Sequence, residues 1–295
     1  MPEGLLLVDK PLGISSHGVV SLARKALGTK KVGHAGTLDP QASGLLVLGV
    51  GFGTKLLTFL VGLDKTYTAT MRLGYATTTD DAEGERIDFP DGDLATCTED
   101  AIDSAITSLV GKISQVPSTF SAIKVDGKRA YDLARSGQDV TLKARDVTVY
   151  SMTRHDIRVG PDGIDVDLTI DCSSGTYIRA IARDIGAKLG VGGHLVALRR
   201  TAVGSFLVDD AVSSDAISAN KLLGLVDVAR AVMPVVELSA SDVDHVRHGR
   251  GVECQGWPEG QPVAALDQES GELVAVVQCT QGRSRILMGN PAFSQ

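Results

Sequence analysis

The sequence predicts an α+β fold built on a mixed, mainly antiparallel sheet flanked by helices, with a small β-rich module at the C-terminal end. Three observations carry this. Several segments alternate apolar and polar residues with period 2, the mark of half-buried strands. Others repeat apolar residues at helical spacing. Finally, strands follow one another through hairpin turns as well as through helices, which argues against a doubly wound parallel sheet. The chain has 295 residues, 43% hydrophobic and 22% charged, enough for one large domain and a smaller one. Aromatics make up only 4%, so the core must be largely aliphatic.

Gly4 to Asp9 is a short apolar strand, ended by Lys10-Pro11-Leu12-Gly13. Ser15-Ser16 caps a helix running to Leu27, and Gly28 stops it. A Gly- and Pro-marked loop, Gly33-His34-Ala35-Gly36-Thr37-Leu38-Asp39-Pro40, leads to a buried strand over Leu45 to Val50 and a short helix over Thr54 to Val61. Lys65 to Leu73 alternates and is rich in Thr, hence a strand. The acidic stretch Asp80 to Asp93 reads as a loop, and Glu99 to Val110 as an amphipathic helix with Ile102, Ile106 and Leu109 on one face. Val116 to Gly137 is mixed and basic, with a short helix expected around Ala130–Arg135. Val147 to Val159 and Ile164 to Cys172 are strands joined by Gly160-Pro161-Asp162-Gly163. Ile178, Ile181, Ile185 and Leu189 place a helix over Tyr177 to Leu189, closed by Gly190 to His194. From about Pro234 short strands alternate with Gly and Pro. This gives two domains, 1–233 and 234–295, with a basic insertion at about 115–143.

The net charge of −7 speaks naively against a nucleic-acid partner, but the charge is segregated. Residues 1–60 and 116–200 each carry +3, while the other two stretches carry −7 and −6. What matters to a polyanion is the local face, since charges more than about 10 Å apart are screened at about 0.1 M salt. No apolar run approaches the roughly 18 residues a membrane span needs, and Met1-Pro2-Glu3 lacks the start of a signal peptide. Cys97, Cys172, Cys254 and Cys279 are far apart and form no CxxC pair. Neither zinc nor a disulfide framework is expected, and a cytoplasmic, reducing location fits. Gly49-Val50-Gly51-Phe52-Gly53 is no dinucleotide fingerprint, because Thr54 takes the third glycine position. No metal site is legible.

Four clusters could carry chemistry. Asp39 sits before Pro40 five residues after His34, and by itself this pattern is a turn former. A catalytic reading needs a partner that keeps the carboxylate ionised and aimed. Tyr177 and Arg179 stand at a helix start after Asp171-Cys172-Ser173-Ser174-Gly175-Thr176, where a guanidinium can grip a carboxylate bidentately or form an ordinary ion pair. Tyr67, on the alternating strand, is either packed or a flat stacking surface for a base. Phe120 to Lys124, then Lys128, Arg129 and Tyr131, interleave cations with aromatics as a nucleic-acid clamp or a solvated loop would.

Taken together, these residues resemble the bacterial tRNA pseudouridine synthase B (TruB) family over roughly residues 4–206. The matching pieces are Gly4-Leu5-Leu6-Leu7-Val8-Asp9-Lys10-Pro11-Leu12-Gly13-Ile14-Ser15-Ser16, the Gly33-to-Pro40 loop, Lys65-Thr66-Tyr67, Thr79-Asp80-Asp81-Ala82-Glu83-Gly84, Phe120 to Lys124, Gly175 to Arg179, and Leu198-Arg199-Arg200-Thr201. The resemblance implies an enzyme that turns uridine 55 of the tRNA T-loop into pseudouridine, with the base flipped out of its stack. It implies Asp39 as the catalytic carboxylate, acting on the sugar C1′, on the base, or on a ribose proton. Tyr67 would stack on the base and assist proton removal, and Arg179 would hold Asp39. His34 would contact RNA, Tyr177 and Leu198 would line the uracil pocket, and Lys124, Lys128 and Arg129 would clamp RNA. It further implies a PUA-like C-terminal domain, no cofactor, no metal, no guide RNA and a monomer that binds the tRNA T-stem-loop. The segment after about residue 234 departs most from the family pattern.

Overall fold

The structure is a computed structural model that describes residues 2–89, 91–118, 124–125, 128–129 and 142–290, with backbone alone at 124–125 and 128–129. In chain order, β1 (Gly4–Lys10) leads to α1 (Ser16–Leu27), whose N-cap Ser15 accepts a hydrogen bond from the Gly18 amide and whose C-cap Gly28 adopts φ 61°, a conformation that suits glycine. Then come β2 (Val32–Ala35), β3 (Ala42–Val50), α2 (Gly53–Leu60), β4 (Lys65–Leu73) and a hairpin of β5 (Tyr75–Thr77) with β6 (Arg86–Asp88). Next are α3 (Glu99–Thr107), β7 (Gly111–Gln115), and a small pair of β8 (Lys124–Val125) with β9 (Lys128–Arg129). β10 (Arg145–Gly160), β11 (Gly163–Cys172), α4 (Ile178–Lys188), β12 (Gly193–Val203), β13 (Phe206–Leu207) and β14 (Val212–Ser213) follow. The chain continues through α5 (Leu225–Val232), β15 (Val235–Leu238), α6 (Ala240–Arg247), β16 (Pro262–Asp267), β17 (Leu273–Thr280) and β18 (Arg283–Gly289). The α+β expectation holds, including the β-rich sheet near the C-terminal end.

The chain forms two compact units. The first takes Met1–Pro40, Gly44–Val61 and Gly204–Gln295. Here β1 pairs antiparallel with β3 from Gly4↔Val50 to Lys10↔Gly44, β2 pairs antiparallel with β3, and β14 runs parallel to β1. Helix α1 lays Val19, Val20, Ala23 and Leu27 onto Leu6, Val8, Leu46 and Leu48, all buried. The Gly-rich run from the end of β3 into α2 serves close backbone approach: a Cβ on Gly53 would sit 2.0 Å from the Gly4 carbonyl oxygen, and one on Gly49 2.6 Å from the Gly53 carbonyl oxygen. The same unit holds the four-stranded sheet β15-β16-β17-β18, with its own aliphatic core of Leu238, Val243, Val263, Val274 and Val277.

The second unit takes Gln41–Ser43 and Gly62–Val203. Its antiparallel ladder runs β12-β4-β11-β10-β7. Strands β4 and β11 justify the period-2 reading. Tyr67, Ala69, Met71 and Leu73 lie opposite Ile170, Leu168, Val166 and Ile164, and all eight are buried. The other face carries polar cross-strand pairs, Thr66–Asp171 (2.7 Å), Thr70–Asp167 (2.7 Å) and bidentate Arg72–Asp165 (2.7 and 2.9 Å).

Several expectations change. His34 is on strand β2, opposite Leu48, because the hairpin into β3 begins only after Ala35. The acidic stretch 80–93 is not all loop: Arg86 to Asp88 pairs with Tyr75 to Thr77, and the Arg86 guanidinium lies over the Tyr75 ring at 4.2 Å. Cys254 and Cys279 are joined in a disulfide, Cα atoms 5.9 Å apart, against the expectation of none. The fold brings the loop before β16 back against β17, which no Cys spacing in the sequence reveals. Cys97 and Cys172 are buried free thiols. The short helix expected at 130–135 lies outside the described residues. Among the described residues, no helix is long and apolar enough to cross a membrane.

Candidate active site

Asp39 is exposed in the connection between β2 and β3, and the backbone on both sides of it is fastened. On the near side, the buried Ser16 hydroxyl donates to the Leu38 carbonyl at 2.8 Å and accepts from the Leu38 amide at 2.8 Å, so the first residue of α1 grips Leu38 twice. On the far side, the Pro40 carbonyl accepts from the Gly13 amide at 2.8 Å and from the Lys10 ammonium at 3.3 Å. Lys10 is fully buried and also donates to the carbonyls of Pro11 and Ile14 at 2.9 and 2.8 Å. Dipoles of three carbonyls thus compensate a charge that would otherwise be costly to bury. Gly36 turns the chain out of β2 with φ 83°. The result is an exposed carboxylate on a loop pinned at its two neighbours, which is how a reactive group is pre-organised. His34 is half-buried on β2, five residues before Asp39.

In the second unit, Tyr67 is 7% exposed, between Ile170 on β11 and Arg200 on β12. Leu198 on β12 is half-buried, opposite Ala69. Tyr177 is the N-cap of α4 and is half-buried, and its side chain makes no capping bond. Arg179, in the first turn of α4, is 9% exposed.

The arginine has a partner the sequence did not announce. Its Nη1 donates to Asp81 Oδ2 at 3.0 Å and to the Thr79 carbonyl at 3.2 Å. Asp81 Oδ1 in turn accepts from the Thr79 hydroxyl at 2.5 Å and from the Glu83 amide at 3.1 Å. One turn further along α4, Arg183 reaches Asp80 at 3.2 Å, and the Asp80 carbonyl accepts from the Leu195 amide at 3.0 Å. The loop Thr77 to Gly84 is therefore laid across α4 and the start of β12 by two arginines. Asp80 takes a left-handed φ of 60°, uncommon outside glycine. A Cβ on Gly84 would come within 2.6 Å of the Thr79 amide nitrogen. The signal for this loop, Thr79 to Gly84, was visible as a motif, but its partners across about a hundred residues were not.

Burial raises the Asp80 carboxyl above the usual carboxylate range, opposed by the Ser118 hydroxyl, Arg183 and Arg179. Lys65, two residues before Tyr67 on the same face, is held down to about 8 by burial and then by Arg200. Burial lowers His194 too, while its Nδ1 lies 3.1 Å from the Tyr75 carbonyl oxygen. The clamp residues Lys124, Lys128 and Arg129 sit on the β8–β9 pair, Lys124 opposite Arg129 and Val125 opposite Lys128, and their side chains lie outside the described residues. Among the described residues, no group of three or more His, Cys, Asp or Glu side chains forms a metal-binding cluster.

Comparison with known proteins gives this arrangement its class. Residues 24–178 match the model of the TruB family pseudouridylate synthase N-terminal domain, and residues 179–235 that of the tRNA pseudouridylate synthase B C-terminal domain. A tRNA pseudouridine synthase B of Arthrobacter sp. (strain FB24) is 48% identical over 306 residues, covering 100% of this chain and 99% of that one. One of Thermobifida fusca (strain YX) is 47% identical over 290 residues, covering 94% and 98%. Among solved structures, the crystal structure of a Cbf5-Nop10-Gar1 complex superposes with a TM-score of 0.71 at 27% identity, covering 99% of this chain and 80% of that one. A structure of an H/ACA RNP bound to a substrate RNA containing 2′-deoxyuridine gives 0.69 at 25% identity, covering 99% and 80%. The chain belongs to the TruB family of pseudouridylate synthases. The expectation of a pseudouridine synthase on an α+β scaffold holds.

Proposed function

We propose that this enzyme isomerises uridine 55 in the T-loop of tRNA to pseudouridine, with Asp39 as the catalytic carboxylate. In such an isomerisation the N1–C1′ bond breaks, a C5–C1′ bond forms, C5 gives up its proton and N1 gains one. The reaction is redox-neutral, so the reading includes no cofactor and no metal. A carboxylate can stabilise the positive charge that develops at C1′ when a glycosidic bond cleaves. The observation that carries the proposal is the exposed Asp39 with both neighbours fastened, Leu38 by Ser16 and Pro40 by Lys10 and Gly13.

In this reading Tyr67 stacks on the flipped uracil and assists removal of the C5 proton. Tyr177 and Leu198 line the uracil pocket, His34 contacts the RNA, and Arg179 orients the Asp39 carboxylate. The Arg179–Asp81 pair supports that role, since a guanidinium already fixed on one side can offer its remaining donors in a set direction. Lys124, Lys128 and Arg129 hold the phosphate backbone, and the β-rich sheet of β15 to β18 acts as a PUA-like RNA-binding module. The reading also takes the enzyme as a cytoplasmic monomer that acts without guide RNA; relatives at 46–48% identity are named tRNA pseudouridine synthase B, whereas the neighbours at 25–27% identity come from a Cbf5-Nop10-Gar1 complex and an H/ACA RNP.

The test is to incubate purified protein with an unmodified T-stem-loop transcript, without metal or nucleotide, and to map the product by mass spectrometry. Pseudouridine at position 55 is expected. Unreacted transcript, or pseudouridine elsewhere only, would refute the assignment.

A further inference from the structure

We propose that Gln115 is a positioning residue: it sets Tyr177 at the head of α4 and ties that residue to the stem of the basic segment that starts at Val116. The inference rests on the reading of Tyr177 as a base-contacting residue.

Tyr177 is not fixed by its own local sequence. It is an N-cap with φ −99° and ψ 107° whose side chain caps nothing, and it follows a turn in which Gly175 has φ 88°. What fixes it comes from 62 residues away. Gln115, the last residue of β7, is 2% exposed. Its Nε2 donates to the Tyr177 carbonyl at 3.1 Å, and its Oε1 accepts from the Tyr177 amide at 2.9 Å. The side-chain amide thereby imitates a neighbouring strand, satisfying one backbone donor and one acceptor at once. Of the other side chains, Glu supplies the acceptor without the donor at neutral pH, and Asn is one methylene short.

The residue that follows Gln115 is tied to the same helix. The Val116 carbonyl accepts from Arg183 Nη2 at 2.8 Å, and Arg183 also holds Asp80. Gln115 and Val116 thus register the stem against α4 at two points. A shift of Gln115 is passed to the backbone of Tyr177 through two hydrogen bonds. Gln115 acts through Tyr177 and touches no reacting atom.

The experiment is a double-mutant cycle on the full chain. Single-turnover conversion of a T-stem-loop at saturating enzyme is followed by tritium release for wild type, Gln115→Met, Tyr177→Ala and the double variant. Gln115→Met keeps the volume and removes both bonds, and Gln115→Glu serves as a second variant that keeps the shape and one acceptor. The rate constant for Gln115→Met is expected to fall roughly tenfold or more at unchanged amplitude, since small misplacements of a contacting group are costly. In the Tyr177→Ala background the same change should cost less than about twofold, because the group being positioned is gone. Hydrogen exchange at the Tyr177 amide should accelerate in Gln115→Met while amides of β4 stay protected. An unchanged rate constant with only a lower amplitude or melting temperature would overturn the proposal, as would losses that multiply independently. Wild-type protein that forms no pseudouridine would refute the functional reading instead, and exchange at Tyr177 would then still decide whether Gln115 holds it.

Discussion

Replacing Ser16 with Ala removes a single oxygen atom, yet that atom serves both the amide and the carbonyl of Leu38, the residue before Asp39. Ser16 is 2% exposed and Leu38 4%, so water does not replace the lost partner at either group. Each such bond is worth about 1 kcal/mol net, and a buried backbone group left unsatisfied costs about 1–3 kcal/mol. With two such groups orphaned, the loss is about 2–6 kcal/mol, concentrated on the loop that carries Asp39. A carboxylate displaced by about 1 Å can lose about a hundredfold in rate. The single-turnover rate constant for Ser16→Ala should therefore fall by about ten- to a hundredfold at saturating RNA. Ser15→Ala supplies the control. Ser15 caps the same helix by accepting from the Gly18 amide at 3.0 Å, and it makes no contact with Leu38 in the hydrogen-bond network. Its loss should cost about 1 kcal/mol of stability and change the rate by less than about twofold. Equal rate effects in the two variants would refute the idea that Ser16 presents Asp39.

Asp81→Asn keeps the shape of the side chain but takes the charge from Arg179, in a pair whose side chains are only 10% and 17% exposed. Turnover should fall about thirty- to a hundredfold, as expected when one member of a nearly buried pair is neutralised, while tRNA affinity measured by filter binding stays within about threefold. Lys65 should give a distinctive pH signature. Its ammonium titrates near 8 in the folded protein and near 10.4 in the unfolded chain, so between these values the unfolded state binds more protons. The penalty for burying the charge is present in full below about pH 8, and stability rises by about 2–3 kcal/mol as the pH climbs to about 10.4. Urea unfolding of wild type against Lys65→Met reads this directly, and parallel pH curves for the two would contradict it.

Much of the scaffold was legible because it is local. Alternation over Lys65 to Leu73 and Ile164 to Cys172 predicts two strands, and their buried residues do face each other across the ladder. Ser15 and Gly28 mark both ends of α1 because capping depends on neighbours in sequence. What escaped is long-range. The motif Thr79 to Gly84 could be seen, but nothing in it names Arg179 or Arg183, about a hundred positions later. Gln115 carries no signal of its own, since a polar residue ending an edge strand ordinarily faces water. Lys10 reads from sequence only as the start of the segment that ends β1, yet it is fully buried on three carbonyls. The Cys254–Cys279 bond arises from the approach of two segments that the linear spacing does not foretell. Asp39 sits between these cases: its loop reads as a turn, and the same turn presents the carboxylate.

The central claim, that Asp39 is the catalytic carboxylate, is tested most directly by Asp39→Asn in a single-turnover assay paired with tRNA binding. The substitution keeps the side-chain volume and the Ser16 and Lys10 brackets around it. Pseudouridine formation should be abolished while tRNA binding remains within a few-fold of wild type. Full turnover by Asp39→Asn would contradict the account.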